Sequence, residues 1–313
     1  MINRIKYLRI SLLNSCNLNC FYCRPPQQEN DTFVSKNFDN YQNSIKLLHS
    51  LGVEKIRFTG GEPTLYKQLP ELIQFVKETD LNIHTAMTSN AILLKKKAKT
   101  FAHSGLDSVN ISIDTLDENR FCSVTGRNKY KDMIDGIEQA VKHIPKVKLN
   151  TVLIRGTNDD EANNLIQFAN NLKIDIRFIE FMPTKLNSQN SDQYISGDEI
   201  KQSLPYTFTP IENDPSTAAR YESSPQLDIK VGFINPVSHS FCAMCNRIRL
   251  TSDGRLYGCL FSGASFNLFD ALQHGYDHAS QEVDQLVAGK QYKGCSRKTG
   301  DSAFFPSFVN MGG

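Results

Sequence analysis

Net charge is nearly absent from this chain: 35 Lys and Arg against 33 Asp and Glu leave +2 over 313 residues. So balanced a protein has no general attraction for nucleic acid, and any anion site must be a local cluster of cations. Long apolar runs are missing too. No stretch approaches the roughly 18 apolar residues that a membrane-crossing helix needs. The opening segment, MINRIKYLRISLLNS, has no extended apolar run and no small-residue cleavage site, which argues against a secretory signal. No repeat is found beyond an alternation of strand-like and helix-like segments. A disulfide framework is also lacking. Of the eight cysteines, six fall into two tight triplets, which is metal-ligand spacing. The expected setting is the cytoplasm, without membrane or nucleic-acid partners.

What is present is enough apolar material, 40% of residues, to bury a sizeable core. The front part alternates strand-like runs (KYLRISLL, EKIRFTG, IHTAMTS, DSVNISID, VKLNTVLI, IDIRFIEF) with helix-like segments near 37–51, 69–79, 91–103, 131–143 and 159–171. Six strands with crossover helices imply an α/β fold built on a parallel sheet. Its natural closure is a partial (β/α)6 barrel, with the active site at the C-terminal ends of the strands. Composition shifts near residue 185, where KLNSQNSDQY reads as a loop. The division expected is 1–185 for the barrel and 186–313 for a mixed α+β extension closing the barrel mouth. In the extension, Asp253-Gly254 marks a two-residue hairpin turn inside RIRLTSDGRLYGCL. That turn would set Cys259 across from about Ile248.

The first triplet, Cys16, Cys20 and Cys23 in SCNLNCFYC, follows the first strand, with Tyr22 before its last member. Three thiolates this close suit an iron–sulfur cluster or zinc. A cubane held by three cysteines keeps one iron open to another ligand. A zinc knuckle or a disulfide pair is the other reading. Strand two ends in TGGEP, whose glycines, including Gly61, let the backbone approach a ligand closely. The second triplet is Cys242, Cys245 and Cys259, and no fourth cysteine completes it. By spacing alone, His239 could serve as fourth ligand of a zinc ribbon. Arg247 and Arg249 are two apart, so on a strand they share a face, and their forked guanidinium groups suit phosphate oxygens. Cys122 and Cys295 stand alone and read as structural.

SCNLNCFYC together with TGGEP resembles the radical S-adenosylmethionine (SAM) superfamily. The further set VNISIDTLD, VKLNTVL, RFIEFM, GFINPVSHSFCAMCNRIRLTSDGRLYGCLF and a terminal Gly-Gly is similar to the family of GTP-cyclising enzymes that open molybdenum cofactor biosynthesis. The likeness runs over nearly the whole chain. It implies two [4Fe–4S] clusters, one on each triplet, the first giving an electron to SAM and the second binding the guanine of GTP. It implies SAM contacts from Tyr22, Gly61, Ser112 and Met182. It implies GTP contacts from Arg9, Arg57, Thr88, Lys148, Arg247, Ile248 and Arg249. Read without it, Arg9, Arg57 and Lys148 are exposed strand charges, and Lys55, in phase with Arg57, is left unassigned. The resemblance also gives Gly312 and Gly313 a catalytic role at the end of a tail reaching the active site. The implied partners are a reductant protein such as a flavodoxin or ferredoxin, the cyclic pterin synthase that takes the product, and a second copy in a homodimer. The sequence departs from the pattern at Arg24-Pro25, usually Met-Pro, and at Ser89-Asn90-Ala91, usually Thr-Asn-Gly. Two other functions fit parts of the pattern: a radical SAM peptide maturase with an auxiliary cluster, and a non-catalytic metal-binding interaction protein.

Overall fold

The computed structural model describes residues 5–23, 38–79, 81–182, 192–212, 217–239, 242–260 and 263–290. Six parallel strands follow one another in sequence and in space: β1 (Tyr7–Ser11), β2 (Lys55–Thr59), β3 (His84–Ser89), β4 (Ser108–Ser112), β5 (Lys146–Leu153) and β6 (Asp175–Glu180). Between them run α1 (Phe38–Ser50), α2 (Leu69–Glu78), α3 (Leu94–His103), α4 (Glu118–Thr125), α5 (Tyr130–His143) and α6 (Ala162–Asn171). Five of these helices match the apolar spacing of the sequence. The sixth, α4, is only eight residues long and is set by Asp117, which accepts from the Arg120 amide, and by Gly126 in a left-handed cap.

The C-terminal part extends the same sheet from both edges. After α7 (Gly197–Ser203), β7 (Thr209–Pro210), β8 (Arg220–Ser223) and β9 (Val231–Ile234) add beyond β6, while β10 (Arg247–Leu250), β11 (Arg255–Tyr257) and β12 (Ser265–Asn267) add beyond β1. Both β9 and β10 join in parallel, so eight parallel strands stand in a row, with an antiparallel hairpin at each end. α8 (Leu268–Gln273) and α9 (Tyr276–Ala288) complete the described chain.

The β10–β11 hairpin corrects one expectation. Its pairs are Arg249 with Tyr257 and Leu250 with Leu256, and the Thr251 amide donates to the Arg255 carbonyl at 2.9 Å. The loop therefore has three residues, Ser252 to Gly254, with Gly254 at φ 86° as the left-handed residue. The register moves by one, so that Tyr257, the last residue of β11, stands opposite Arg249 rather than Leu250.

Strand alternation decides what the sheet encloses. Leu8, Ile10, Ile56 and Phe58 are fully buried beneath the helices. The alternate residues, Tyr7 and Arg9 on β1, Lys55 and Arg57 on β2, Ser108, Asn110 and Ser112 on β4, and Lys148 and Asn150 on β5, line a cavity of about 860 Å3. The usual interior of a (β/α)8 barrel is layered Val, Ile and Leu. Polar residues on the inner face here leave room for a large ligand.

Candidate active site

The first cysteine triplet lines this cavity, and Cys245 of the second lies toward the opposite end of the same strands. The first follows the C-terminal end of β1, while Cys245 precedes β10, which pairs in parallel with β1 through Tyr7 and Arg247. Cys245 is thus level with the residues before β1, about six positions, or roughly 20 Å, below its top.

The first triplet is held by the glycine loop. Cys16, Cys20 and Cys23 all face the cavity. The Gly61 amide donates to the Leu13 carbonyl at 2.7 Å, and the Glu62 amide to the Ser15 carbonyl at 2.8 Å. A Cβ at Gly61 would come within 2.0 Å of the Ser15 carbonyl oxygen, so only glycine lets the two loops pass. Glu62, 1% exposed, accepts from Thr64, Ser89 and the Asn90 amide. Asn90 also donates to Asn17 at 2.7 Å. The departure at Ser89 thereby serves the same loop as Asn90, which the pattern shares, and the departure at Ala91 takes the left-handed conformation, φ 67°, that glycine adopts freely.

The sulfurs suit a cluster. The Leu18 amide donates to Cys16 Sγ at 3.4 Å. Burial, then the Cys23, Asp114 and Cys16 charges, push the Cys20 thiol well up, so three thiolates coexist only around a cationic group. Among the described residues no three His, Cys, Asp or Glu side chains are arranged around a single ion. A cubane does not need that, since each ligand takes a separate corner.

Tyr22, Ser112, Met182 and Gly61 all reach the cavity wall. Tyr22 donates to Asp114 Oδ2 at 2.6 Å and meets Phe181 edge-on. Asp114 also accepts from the Val152 amide at 2.9 Å, and burial pushes its carboxyl up to about 6. The aromatic of the cysteine loop is therefore fixed to the ends of β4, β5 and β6.

Midway along the cavity, register sets cations side by side. Arg249, Arg9 and Arg57 form one row, and Arg247, Tyr7 and Lys55 the next. Burial and then Arg249 bring Arg9 down to about 9, while burial and then Arg247 bring Arg249 down to about 10. Arg57 Nε donates to the Tyr7 hydroxyl at 2.5 Å and its Nη1 to the Met87 carbonyl at 2.8 Å and Thr88 at 3.4 Å. Burial raises the Tyr7 phenol, but Arg57, Arg9, Lys55 and Arg247 together outweigh it, and the phenol falls to about 7. Lys148 also faces the cavity, though its ammonium pairs with Asp175 at 2.9 Å and donates to the Tyr221 hydroxyl at 2.6 Å. So many cations repelling one another in a closed space fit a polyanion.

Ile248 is the exception on β10: its side chain is fully buried in the core, turned away from the Arg pair. Arg177, Lys55 and Tyr7 are additions that the sequence left unassigned. Arg177 Nε donates to Asn150 at 2.9 Å, and its buried Nη2 has no partner among the described residues. Their strand phase, shared with Arg57 and Ser112, is the signal that could have found them.

At the far end, the Cys245 amide donates to the Cys242 carbonyl at 3.1 Å, a tight turn that brings these two together. The Cys259 and Cys245 charges act on Arg249, opposing its depression, so this triplet adjoins the Arg row. His239 turns elsewhere, its Nε2 2.7 Å from Asp198 Oδ2. Gly312, Gly313, Cys295 and Arg24-Pro25 lie outside the described residues.

A parallel partial barrel with three cysteines after β1 and a glycine loop after β2 defines a radical SAM enzyme, and the Radical SAM superfamily pattern matches residues 10–169. The Molybdenum Cofactor Synthesis C pattern matches residues 174–294. The GTP 3′,8-cyclase of Alkaliphilus oremlandii is 36% identical over 294 residues, 93% of this chain and 92% of that one. That of Clostridium botulinum is 39% identical over 273 residues, 85% of this chain and 84% of that one. The chain belongs to the GTP 3′,8-cyclase family. Molybdenum cofactor biosynthesis protein 1 of Drosophila melanogaster is 35% identical across 92% of this chain and 52% of that protein. Among solved structures, SuiB of Streptococcus suis bound to S-adenosylmethionine shares the fold, with a TM-score of 0.67 at 18% identity over 92% of this chain and 68% of that one. So does anSMEcpe with bound AdoMet, at 0.59 and 15% over 98% of this chain and 89% of that one.

Proposed function

We propose that this protein converts GTP to 3′,8-cyclo-7,8-dihydro-GTP, with SAM cleaved to methionine and 5′-deoxyadenosine, as the first step of molybdenum cofactor biosynthesis. The observation that carries this reading is the double row of Arg, Lys and Tyr in the cavity, with the first cysteine triplet on its wall and Cys245 of the second just before β10. Cys16, Cys20 and Cys23 would hold one [4Fe–4S] cluster, and Cys242, Cys245 and Cys259 the second. When bound, the first cluster and SAM would supply the radical chemistry needed at the ribose. The residues do the rest by orientation and exclusion of water. Tyr22, Gly61, Ser112 and Met182 seat SAM at the upper end. Arg9, Arg57, Arg177, Arg247 and Arg249 receive the triphosphate, with Thr88 held in place by Arg57, Lys148 beside them and the Ile248 main chain between the Arg pair. A peptide substrate would give these buried cations no counter-charge, which disfavours a maturase.

The partners in this reading are a flavodoxin- or ferredoxin-type reductant and a cyclic pterin synthase, with the enzyme a cytoplasmic homodimer. No described helix is long and apolar enough to cross a membrane. Anaerobic incubation with GTP, SAM and a reductant, followed by product analysis, tests the activity. Cyclised nucleotide and 5′-deoxyadenosine should appear together. SAM cleavage with GTP left intact would overturn it. The same assay tests Gly312 and Gly313 as catalytic residues: their deletion should preserve iron and GTP binding while cyclised product falls sharply.

Tyr7 makes GTP binding pH-dependent. A triphosphate engages the cations that hold the phenolate, so binding returns a proton to Tyr7. Affinity should fall as pH rises above about 7, by at most about tenfold per unit for one linked proton. Calorimetry in buffers of different ionisation enthalpy should show proton uptake in the wild type that is missing in Tyr7→Phe. Equal uptake in both would remove Tyr7 from the linkage.

A further inference from the structure

Lys290 follows α9 and is 8% exposed, yet its ammonium does not reach for water. Its Nζ donates to the Cys245 carbonyl at 2.9 Å, to the Arg247 carbonyl at 2.8 Å and to Cys245 Sγ at 3.5 Å. One side chain from the last described helix thus grips the start of β10 on both sides of Asn246 and touches the sulfur of a cysteine in the second triplet.

Two carbonyls could be satisfied by any neutral donor. A buried ammonium is a different matter, because a charge removed from water needs an opposite charge nearby. Cys245 Sγ offers that charge as a ligating thiolate. The contact also has an electronic consequence. Reducing an iron–sulfur cluster adds negative charge, part of it on the ligand sulfurs, and a cationic N–H donor on such a sulfur stabilises the reduced form.

We propose that Lys290 is a positioning residue of the second cluster, fixing Cys245 Sγ for ligation and raising that cluster's reduction potential through an N–H···S hydrogen bond. The inference rests on reading Cys242, Cys245 and Cys259 as a cluster site. It assigns to this chain a lysine outside the cysteine motif, 45 positions beyond Cys245 in sequence, as part of the same centre.

The test uses the full chain with Cys16, Cys20 and Cys23 replaced by Ala, so that the second triplet is observed alone. Iron and sulfide analysis of this parent comes first, then redox titration followed by electron paramagnetic resonance. Lys290→Met and Lys290→Gln are compared with Lys290→Arg. The expected result is a shift to lower potential in the Met and Gln variants, with Arg staying closer to the parent. Loss of iron in either neutral variant, at unchanged circular dichroism and melting temperature, equally supports the positioning role. Should Met prevent folding, Gln carries the comparison, since its amide still reaches the two carbonyls without the charge. A parent that binds no iron overturns the cluster reading and the inference together. A parent with its cluster, and neutral variants with unchanged iron and potential, overturn the role of Lys290 alone.

Discussion

Arg249→Met is expected to yield a protein that resists heat better than the wild type and binds GTP at least tenfold more weakly. Both effects come from one cause. Burial and the neighbouring Arg247 disfavour the Arg249 cation, bringing it to about 10. A depressed cation is charged at every practical pH, so its penalty on the empty fold is present in full. Only above the ordinary guanidinium value would the penalty vanish. Removing it should gain on the order of 1–3 kcal/mol of stability without ligand. GTP reverses the balance, since each lost charge-assisted contact costs roughly 1.5–3 kcal/mol of binding. Thermal melts with and without GTP, in protein carrying both clusters, read the two effects separately. A variant less stable than wild type in both states would show that Arg249 is structural.

The second large effect concerns Gly61. Its Cβ would fall 2.0 Å from the Ser15 carbonyl oxygen and 2.9 Å from that of Asn14. These are backbone atoms of the cysteine loop, so no side chain can swing aside. Gly61→Ala should therefore displace the loop rather than unfold the sheet. About half of the iron should be lost and SAM cleavage abolished, while the second cluster persists. Iron content and 5′-deoxyadenosine yield, measured together, decide it. Full iron with normal cleavage would mean that the loops separate at little cost.

Much of this was legible in the sequence because its strands and helices carry their own periodicity. β1 to β6 and five of the first six helices stand where apolar spacing put them. The position of β10 was not legible. Nothing local in RIRL says that it pairs with β1, and that pairing puts Arg249 beside Arg9. Arg177 was missed for a related reason: an isolated strand cation reads the same facing water or facing a closed cavity. The hairpin register slipped because Asp253-Gly254 suits a two-residue turn, whereas Gly254 in the left-handed region makes a three-residue one.

The seam between β1 and β10 joins segments more than two hundred residues apart, and this fixes an order of events during synthesis. The outer edge of β1 must wait for β10 until all the chain between them has been made. Until then a nascent chain can build the six central strands and the first cysteine loop, but no triphosphate site. Closing the seam brings Arg247 and Arg249 against Arg9 and Arg57, so backbone pairing there proceeds against like-charge repulsion. Pairing across so long a stretch of chain forms slowly, and a bare strand edge is open to intermolecular pairing until it is covered. A polyanion on the Arg row would relieve that repulsion and favour closure of the seam.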